Sequence, residues 1–128
     1  MASAPPIKGI GTDLVEVGRF RESLRRTPTL RDRLFTTGEL AYADRAADPT
    51  ERLAVRFAAK EAVMKAMGVG LGQVNMVDIE VVRSDDGAPS VQLHGTAREL
   101  ASEQGIATWH ISLTHTESMA HAMVIAQT

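Results

Sequence analysis

Two carboxylates are the residues of this sequence best placed to do chemistry. Asp13 lies in Gly9-Ile-Gly-Thr-Asp-Leu-Val-Glu16, and Glu61 lies in Arg56-Phe-Ala-Ala-Lys-Glu-Ala-Val-Met-Lys65. Three cations, Arg56, Lys60 and Lys65, surround Glu61 in the chain. If the fold brings Asp13 and Glu61 together, two hard oxygen ligands beside basic side chains would make a Mg2+ site. Such a site keeps positions open for water and a diphosphate. Arg56, Lys60 and Lys65 would then serve the phosphates. Each residue also has a local reading. Glu61 and Lys65 stand in i,i+4 order, the spacing of a helix-surface ion pair worth about 0.2–0.5 kcal/mol. Asp13-Leu-Val-Glu16 has the spacing of a capping box, which would make Asp13 the N-cap of the next helix.

The remaining polar residues offer less. His115 lies between two threonines in a turn joining two strands, where a structural or exposed role is common. His110, Trp109 and His121 read as packing or surface positions, and His94 has no partner in view. Ser112 and Ser118 lack an activating neighbour, so no Ser-His triad is indicated. Gly68-Val-Gly-Leu-Gly72 reads as a flexible loop. It is not a P-loop, because no Gly-Lys-Ser/Thr and no helix follow it.

The elements that must position these groups centre on one helix, expected over 51–67 and stopped by Gly68. Wound at about 100° per residue, it places Val55, Ala58, Ala59, Ala62, Val63 and Ala66 on one uncharged arc. Small side chains there let a sheet approach closely. The opposite arc interleaves Leu53, Phe57, Met64 and Met67 with Arg56, Lys60, Glu61 and Lys65. That mixture suggests a face covered by a ligand or another subunit. Upstream, 7–12 reads as a strand in which Gly9 and Gly11 permit close backbone approach. A helix over 14–26 follows, with Val17, Phe20 and Leu24 inward. A short helical segment is expected over 30–35 and another helix over 38–46, capped by Thr37. Downstream, 78–84 and 90–94 form a hairpin at Asp86-Gly87. Thr96 caps a helix to Gln104, with Gly105 at its C-cap, and 108–114 and 120–127 are strands. The order β-α-α-α-β-β-α-β-β gives an α+β domain, its helices packed on a mostly antiparallel sheet.

Composition narrows the classes. A chain of 128 residues is one domain of ordinary size, read as 1–128 with 1–6 flexible. The absence of cysteine excludes disulfides and thiolate chemistry, and suits a reducing cytoplasm. No apolar run reaches the length of a membrane span. A net charge of -2 argues against general nucleic-acid binding. Arginines at 19, 21, 25, 26, 31 and 33 nevertheless face only two acids, Glu22 and Asp32, a local basic patch that suits an acidic partner. The C-terminal strand 120–126 is short of charge, a poor design for an exposed edge, and with the mixed helix face it points to a closed homo-oligomer.

Three stretches carry a resemblance. Gly9-Ile-Gly-Thr-Asp-Leu-Val-Glu-Val-Gly-Arg19, Arg56-Phe-Ala-Ala-Lys-Glu-Ala-Val-Met-Lys-Ala66 and Ile111-Ser-Leu-Thr-His-Thr116 resemble, in order and separation, the holo-[acyl-carrier-protein] synthases. These are the small trimeric 4'-phosphopantetheinyl transferases. The resemblance implies transfer of phosphopantetheine from coenzyme A to a serine of apo acyl carrier protein. It implies Asp13 and Glu61 as Mg2+ ligands, and Arg56, Lys60 and Lys65 as diphosphate and nucleotide contacts above Gly68 and Gly70. It further implies His115 and Thr116 as coenzyme A contacts from a neighbouring subunit of a homotrimer, and Arg19 and Arg26 as carrier-protein contacts. Two other functions fit the residues: a broad-specificity transferase, and a non-enzymatic trimeric module docking acidic helices on Arg19 to Arg26.

Overall fold

The computed structural model of the chain describes residues 4–70, 72–84 and 86–128. The long helix α4, Thr50–Met67, ends at Gly68, whose φ of 71° takes the left-handed turn expected of a helix stop. Ahead of it come β1 (Ile7–Glu16), α1 (Val17–Arg26), α2 (Leu30–Leu34) and α3 (Thr37–Ala43). Four helices thus separate β1 from the hairpin of β2 (Ile79–Arg83) and β3 (Pro89–Leu93), as the four helical stretches read from the sequence require and one more than the expected element order has. A 3-10 turn, Met76–Asp78, leads into that hairpin. The chain closes with α5 (Gly95–Glu103), β4 (Thr108–His115) and β5 (Met119–Gln127). The result is the expected α+β domain with antiparallel pairing throughout. Of the stretch read as flexible, residues 1–3 lie outside the described residues, whereas the Pro5 and Pro6 carbonyls accept from Gln127 and Thr128.

The three-stranded sheet runs β1-β5-β4, so β5 is its central strand and not an edge. Its low charge has a different cause from the one expected. Ala120, Ala122, Val124 and Ala126 alternate inward and are fully buried under α4. The sheet's other face is uncovered in this chain, with Ile10, Leu14 and Met123 exposed on it.

α4 is buried on both of its arcs. Leu53 is 0% exposed, Met64 2% and Met67 4%. Met64 and Met67 pack with Val74, Met76, Ile79 and Val81, while Leu53 packs with Phe20, Phe35 and Ala43. A single chain therefore covers the arc that the sequence suggested a ligand or subunit must cover. The second layer is supplied by α3, the 3-10 turn and the hairpin.

Two local expectations change. β1 continues through Asp13 to Glu16, because Asp13 pairs with Ala122 and Glu16 with Met119. Asp13 is therefore a strand residue and caps no helix; α1 starts after Glu16, which gives no side-chain cap bond. At α3 the cap is Thr36 rather than Thr37, with Glu39 N–H donating to Thr36 Oγ1 at 3.1 Å and Thr36 N–H to Glu39 Oε1 at 2.9 Å. Thr96 likewise caps nothing: α5 begins after His94, and the Thr96 hydroxyl donates to Asp78.

Candidate active site

The contact of α4 with β1 sets the site. A Cβ on Gly11 would lie 1.7 Å from the Ala62 carbonyl oxygen, and one on Gly9 would lie 1.9 Å from that of Ala66. Glycine at both positions lets helix and strand meet backbone to backbone. Two residues past Gly11 on the same strand face comes Asp13; one residue before Ala62 comes Glu61. The packing thus brings the two carboxylates to one cavity of about 580 Å3.

The cavity has a polar end, Asp13, Glu61, Glu16 and Arg19, and an apolar wall of Val15, Phe20, Leu30, Leu34, Phe57 and Met76. The apolar wall was not singled out from sequence, where Phe20 reads simply as the buried face of α1. Burial pushes the Glu61 carboxyl above the usual glutamate range, the Asp13 charge raises it further, and Lys65 opposes both. Lys65 does not pair with Glu61. It crosses to β1, donating to the Thr12 carbonyl at 2.9 Å and to Asp13 Oδ1 at 3.2 Å. Helix spacing suggested an i,i+4 pair; the adjacent strand offers Lys65 two acceptors instead.

A raised carboxyl has a defined signature. Between the ordinary and the raised pKa the folded chain holds the extra proton, so stability falls as pH climbs through that window and stays reduced above it. Glu61→Gln is expected to raise the thermal midpoint of the metal-free protein at neutral pH. That gain shrinks toward zero at acidic pH, where Glu61 is protonated in both states. Melting curves of both proteins across pH check this; a gain independent of pH would refute it.

Lys60 requires correction. Its side chain is wholly buried, and its ammonium donates to Glu39 Oε1 at 2.7 Å, to the Met76 carbonyl at 3.0 Å and to the Ile79 carbonyl. All three donors are used inside the fold, so Lys60 is not a phosphate contact. Burial pushes the ammonium pKa down and the Glu39 charge opposes it. Arg56 is also interior, 3% exposed, with its guanidinium 4.3 Å from the Tyr42 ring centroid. Arg45, Arg52 and Arg83 gather around the same ring. Arg56 Nε is buried without a hydrogen-bond partner among the described residues.

The other expected residues lie elsewhere. His115 is on β4, its Nδ1 3.6 Å from Glu51 Oε2, and it does not line the cavity. Thr116 Oγ1 accepts from the Ser118 and Met119 amides and closes the β4–β5 turn. Gly70 N–H donates to Gln73 Oε1, and Leu71 of that loop lies outside the described residues. On α1, Arg25 and Arg26 both pair with Glu22, and Arg21 pairs with Asp48, so the helix is more internally neutralised than expected. Arg19 has no ion pair among the described residues and faces the cavity. His94, which had no partner in sequence, bonds Glu80 Oε1 at 2.8 Å. Among the described residues no three His, Cys, Asp or Glu cluster as a metal cage. A Mg2+ held by two carboxylates plus substrate phosphates needs none.

The profile of the 4'-phosphopantetheinyl transferase superfamily matches residues 9–124, nearly the whole chain. The chain belongs to this superfamily. Within it, the chain is 47% identical over 122 residues to the holo-[acyl-carrier-protein] synthase of Frankia casuarinae, covering 95% of this chain and 98% of that one. Among solved structures, the holo-[acyl-carrier-protein] synthase of Neisseria meningitidis superimposes with a TM-score of 0.88 at 33% identity, over 96% of this chain and 100% of that one. The Bacillus anthracis enzyme, solved in complex with coenzyme A (3',5'-ADP), gives a TM-score of 0.80 at 33% identity over 95% and 97%.

Proposed function

We propose that this chain transfers 4'-phosphopantetheine from coenzyme A to a serine of apo acyl carrier protein, releasing adenosine 3',5'-bisphosphate. The observation that carries the reading is the convergence of Asp13 and Glu61 on one cavity, with Lys65 alongside, in a chain that belongs to this transferase superfamily. The partner's serine oxygen bonds to the phosphorus nearer pantetheine, and the bond from that phosphorus to the bisphosphate oxygen breaks. The attacking oxygen is thus the partner's; Ser23, a hydroxyl that lines the cavity, donates to the Arg19 carbonyl at 3.1 Å instead. Glu61, whose basicity is raised by burial, is placed to take the serine proton. Lys65 adds a positive charge beside the diphosphate, where positioning and charge neutralisation supply most of the rate.

Asp13 and Glu61 fit a hard divalent cation: two carboxylates share a cavity, and Lys65 is paired with Asp13 beside it. Mg2+ held there would supply charge neutralisation as the bisphosphate leaves. Mass spectrometry of apo carrier protein incubated with coenzyme A and Mg2+ tests the reading. A gain of one phosphopantetheine supports it, and binding of the carrier without any gain points instead to a non-catalytic docking module.

Arg19, free of ion pairs among the described residues and lining the cavity, is the carrier-docking residue, with Arg26 further along α1 tied to Glu22. Arg19→Glu is expected to raise the carrier KM about tenfold, with a shallower salt dependence, and to leave the coenzyme A KM unchanged. The opposite split would refute the assignment. We also infer a homotrimer in which His115 and Thr116 of one copy face the cavity of the next. Two observations support it: these residues lie outside their own chain's cavity, and the sheet leaves Ile10, Leu14 and Met123 uncovered. A monomeric mass by light scattering with full activity would overturn it. A cytoplasmic location agrees with a chain free of cysteine and with no helix among the described residues long and apolar enough to cross a membrane; cell fractionation tests it.

A further inference from the structure

We propose that Glu39 and Lys60 are positioning residues that set the wall of the reaction cavity by clamping the Met76–Asp78 turn against α4. The pair is the one ion pair among the described residues in which both side chains are fully buried. A buried pair of this kind is weak evidence for stability as such, since apolar residues of similar volume often serve as well or better. What distinguishes this pair is where its remaining hydrogen bonds go. Lys60 Nζ donates to the carbonyl of Met76, where the 3-10 turn begins, and to that of Ile79, the residue after it. Glu39 Oε2 accepts from the Val81 amide at 2.9 Å, and Glu39 Oε1 accepts from the Thr36 amide. Thr36 Oγ1 in turn donates to Glu80 Oε2 at 2.8 Å. One buried charge pair thus fastens α3, α4, the turn and β2 at a single point.

The clamp touches the site through one side chain. Met76 lines the cavity that Asp13 and Glu61 share, and Glu61 directly follows Lys60 on α4. The carbonyl of Met76 is therefore fixed to the helical residue adjacent to the reacting carboxylate. A slackened turn would move the apolar wall relative to Glu61 without disturbing Asp13, which is held by β5. Displacements of about 1 Å in such walls can cost up to about 100-fold in rate.

The proposal rests on the transfer reading for its activity readout, so the test carries a second readout that does not. In the full-length chain, Glu39→Leu combined with Lys60→Met removes both charges together and leaves no uncompensated ion. The expected result is a folded protein with a lowered thermal midpoint, because the Val81 amide and the Met76 and Ile79 carbonyls lose their buried partners, and with kcat/KM per folded molecule lower by about 10- to 100-fold. Amide exchange at Asp78, which donates to the Asn75 carbonyl, and at His94, which donates to the Asp78 carbonyl, is expected to quicken at least tenfold while β1 and β5 amides hold. A role confined to holding the fold together predicts instead that only the thermal midpoint falls, while kcat/KM per folded molecule stays parental. A folded double variant with parental kcat/KM and parental exchange at Asp78 and His94 overturns the proposal. Should the double variant not fold, Met76→Ala decides. It leaves the clamp intact and removes the wall, and a folded Met76→Ala protein with parental kcat/KM shows that the wall's placement does not matter. If the parent chain itself transfers nothing, the functional reading fails, and the exchange comparison still judges the clamp.

Discussion

Asp13→Ala and Glu61→Ala are each expected to reduce phosphopantetheine transfer by about 10³-fold or more, with the thermal midpoint of the metal-free protein retained. The size follows from what is removed. Charge neutralisation at a leaving phosphate contributes several kcal/mol, and each 1.4 kcal/mol or so is tenfold in rate. The preserved stability follows from the surroundings. Asp13 caps no helix, so its loss orphans no helix terminus, and Lys65 keeps the Thr12 carbonyl as an acceptor. Glu61 has no ion pair within the described residues, and its burial disfavours its charge. Calorimetry is expected to show that Mg2+-dependent coenzyme A binding weakens in both variants. A variant of Asp13 that stays active and only melts earlier would return that residue to a structural role.

Gly11→Ala is expected to have the largest effect on stability. The added methyl would stand 1.7 Å from the Ala62 carbonyl oxygen and 2.6 Å from its carbon, and both obstacles are backbone. No rotamer relieves such a clash. α4 must lift from β1, and the helix carries much of the core, with Ala58, Ala59, Ala62 and Val63 at 0% exposure. The cost belongs to the rare class above about 4–5 kcal/mol, a large share of the 5–15 kcal/mol typical of a whole domain. Circular dichroism is expected to show a largely unfolded chain at 37 °C. Gly18→Ala is the control: nothing lies within 4 Å of its added methyl. Relieving a glycine inside α1 is expected to stabilise the protein by about 0.5–1 kcal/mol. Equal effects at the two positions would remove close helix–strand packing as the explanation.

Much of this arrangement can be read from the chain, and the exceptions share a cause. The Ala/Val arc of α4 and the Gly9-x-Gly11 pair together announce a helix lying tightly on a strand, and that packing is what brings Asp13 to Glu61. The two carboxylates were therefore legible as residue types, while their sharing of one cavity depended on how the helix and strand pack. Lys60 was not. On a helical wheel it sits with Arg56 and Lys65 and reads as part of a phosphate-facing cluster. Its actual partner, Glu39, lies 21 residues away on another helix, and no local pattern reports that distance. The nearest signal was the spacing Thr36-x-x-Glu39, a capping box that marks Glu39 as held at a helix start. Asp13 shows the reverse failure. Its capping-box spacing was present but idle, because pairing with Ala122 on β5 keeps the strand running to Glu16. The rank of β5 within the sheet was illegible too, since low charge suits a buried centre as well as a sticky edge.

The β1–β5 pairing also fixes when the site can exist. Thr12 and His121, hydrogen-bonded side by side at 2.8 Å, are separated by 109 positions in the chain. The carboxylate of α4 can take its place on a helix as soon as that helix forms, a local and fast event. The carboxylate of β1 must wait for the closure of a loop of that length, an entropically late step that slows sheets built from distant segments. Assembly of the cavity is therefore timed by its strand and not by its helix. Pulse-labelled hydrogen exchange during refolding should find α4 protected before the amides around Asp13, and a folding intermediate holding α4 alone would have one carboxylate in place and no site.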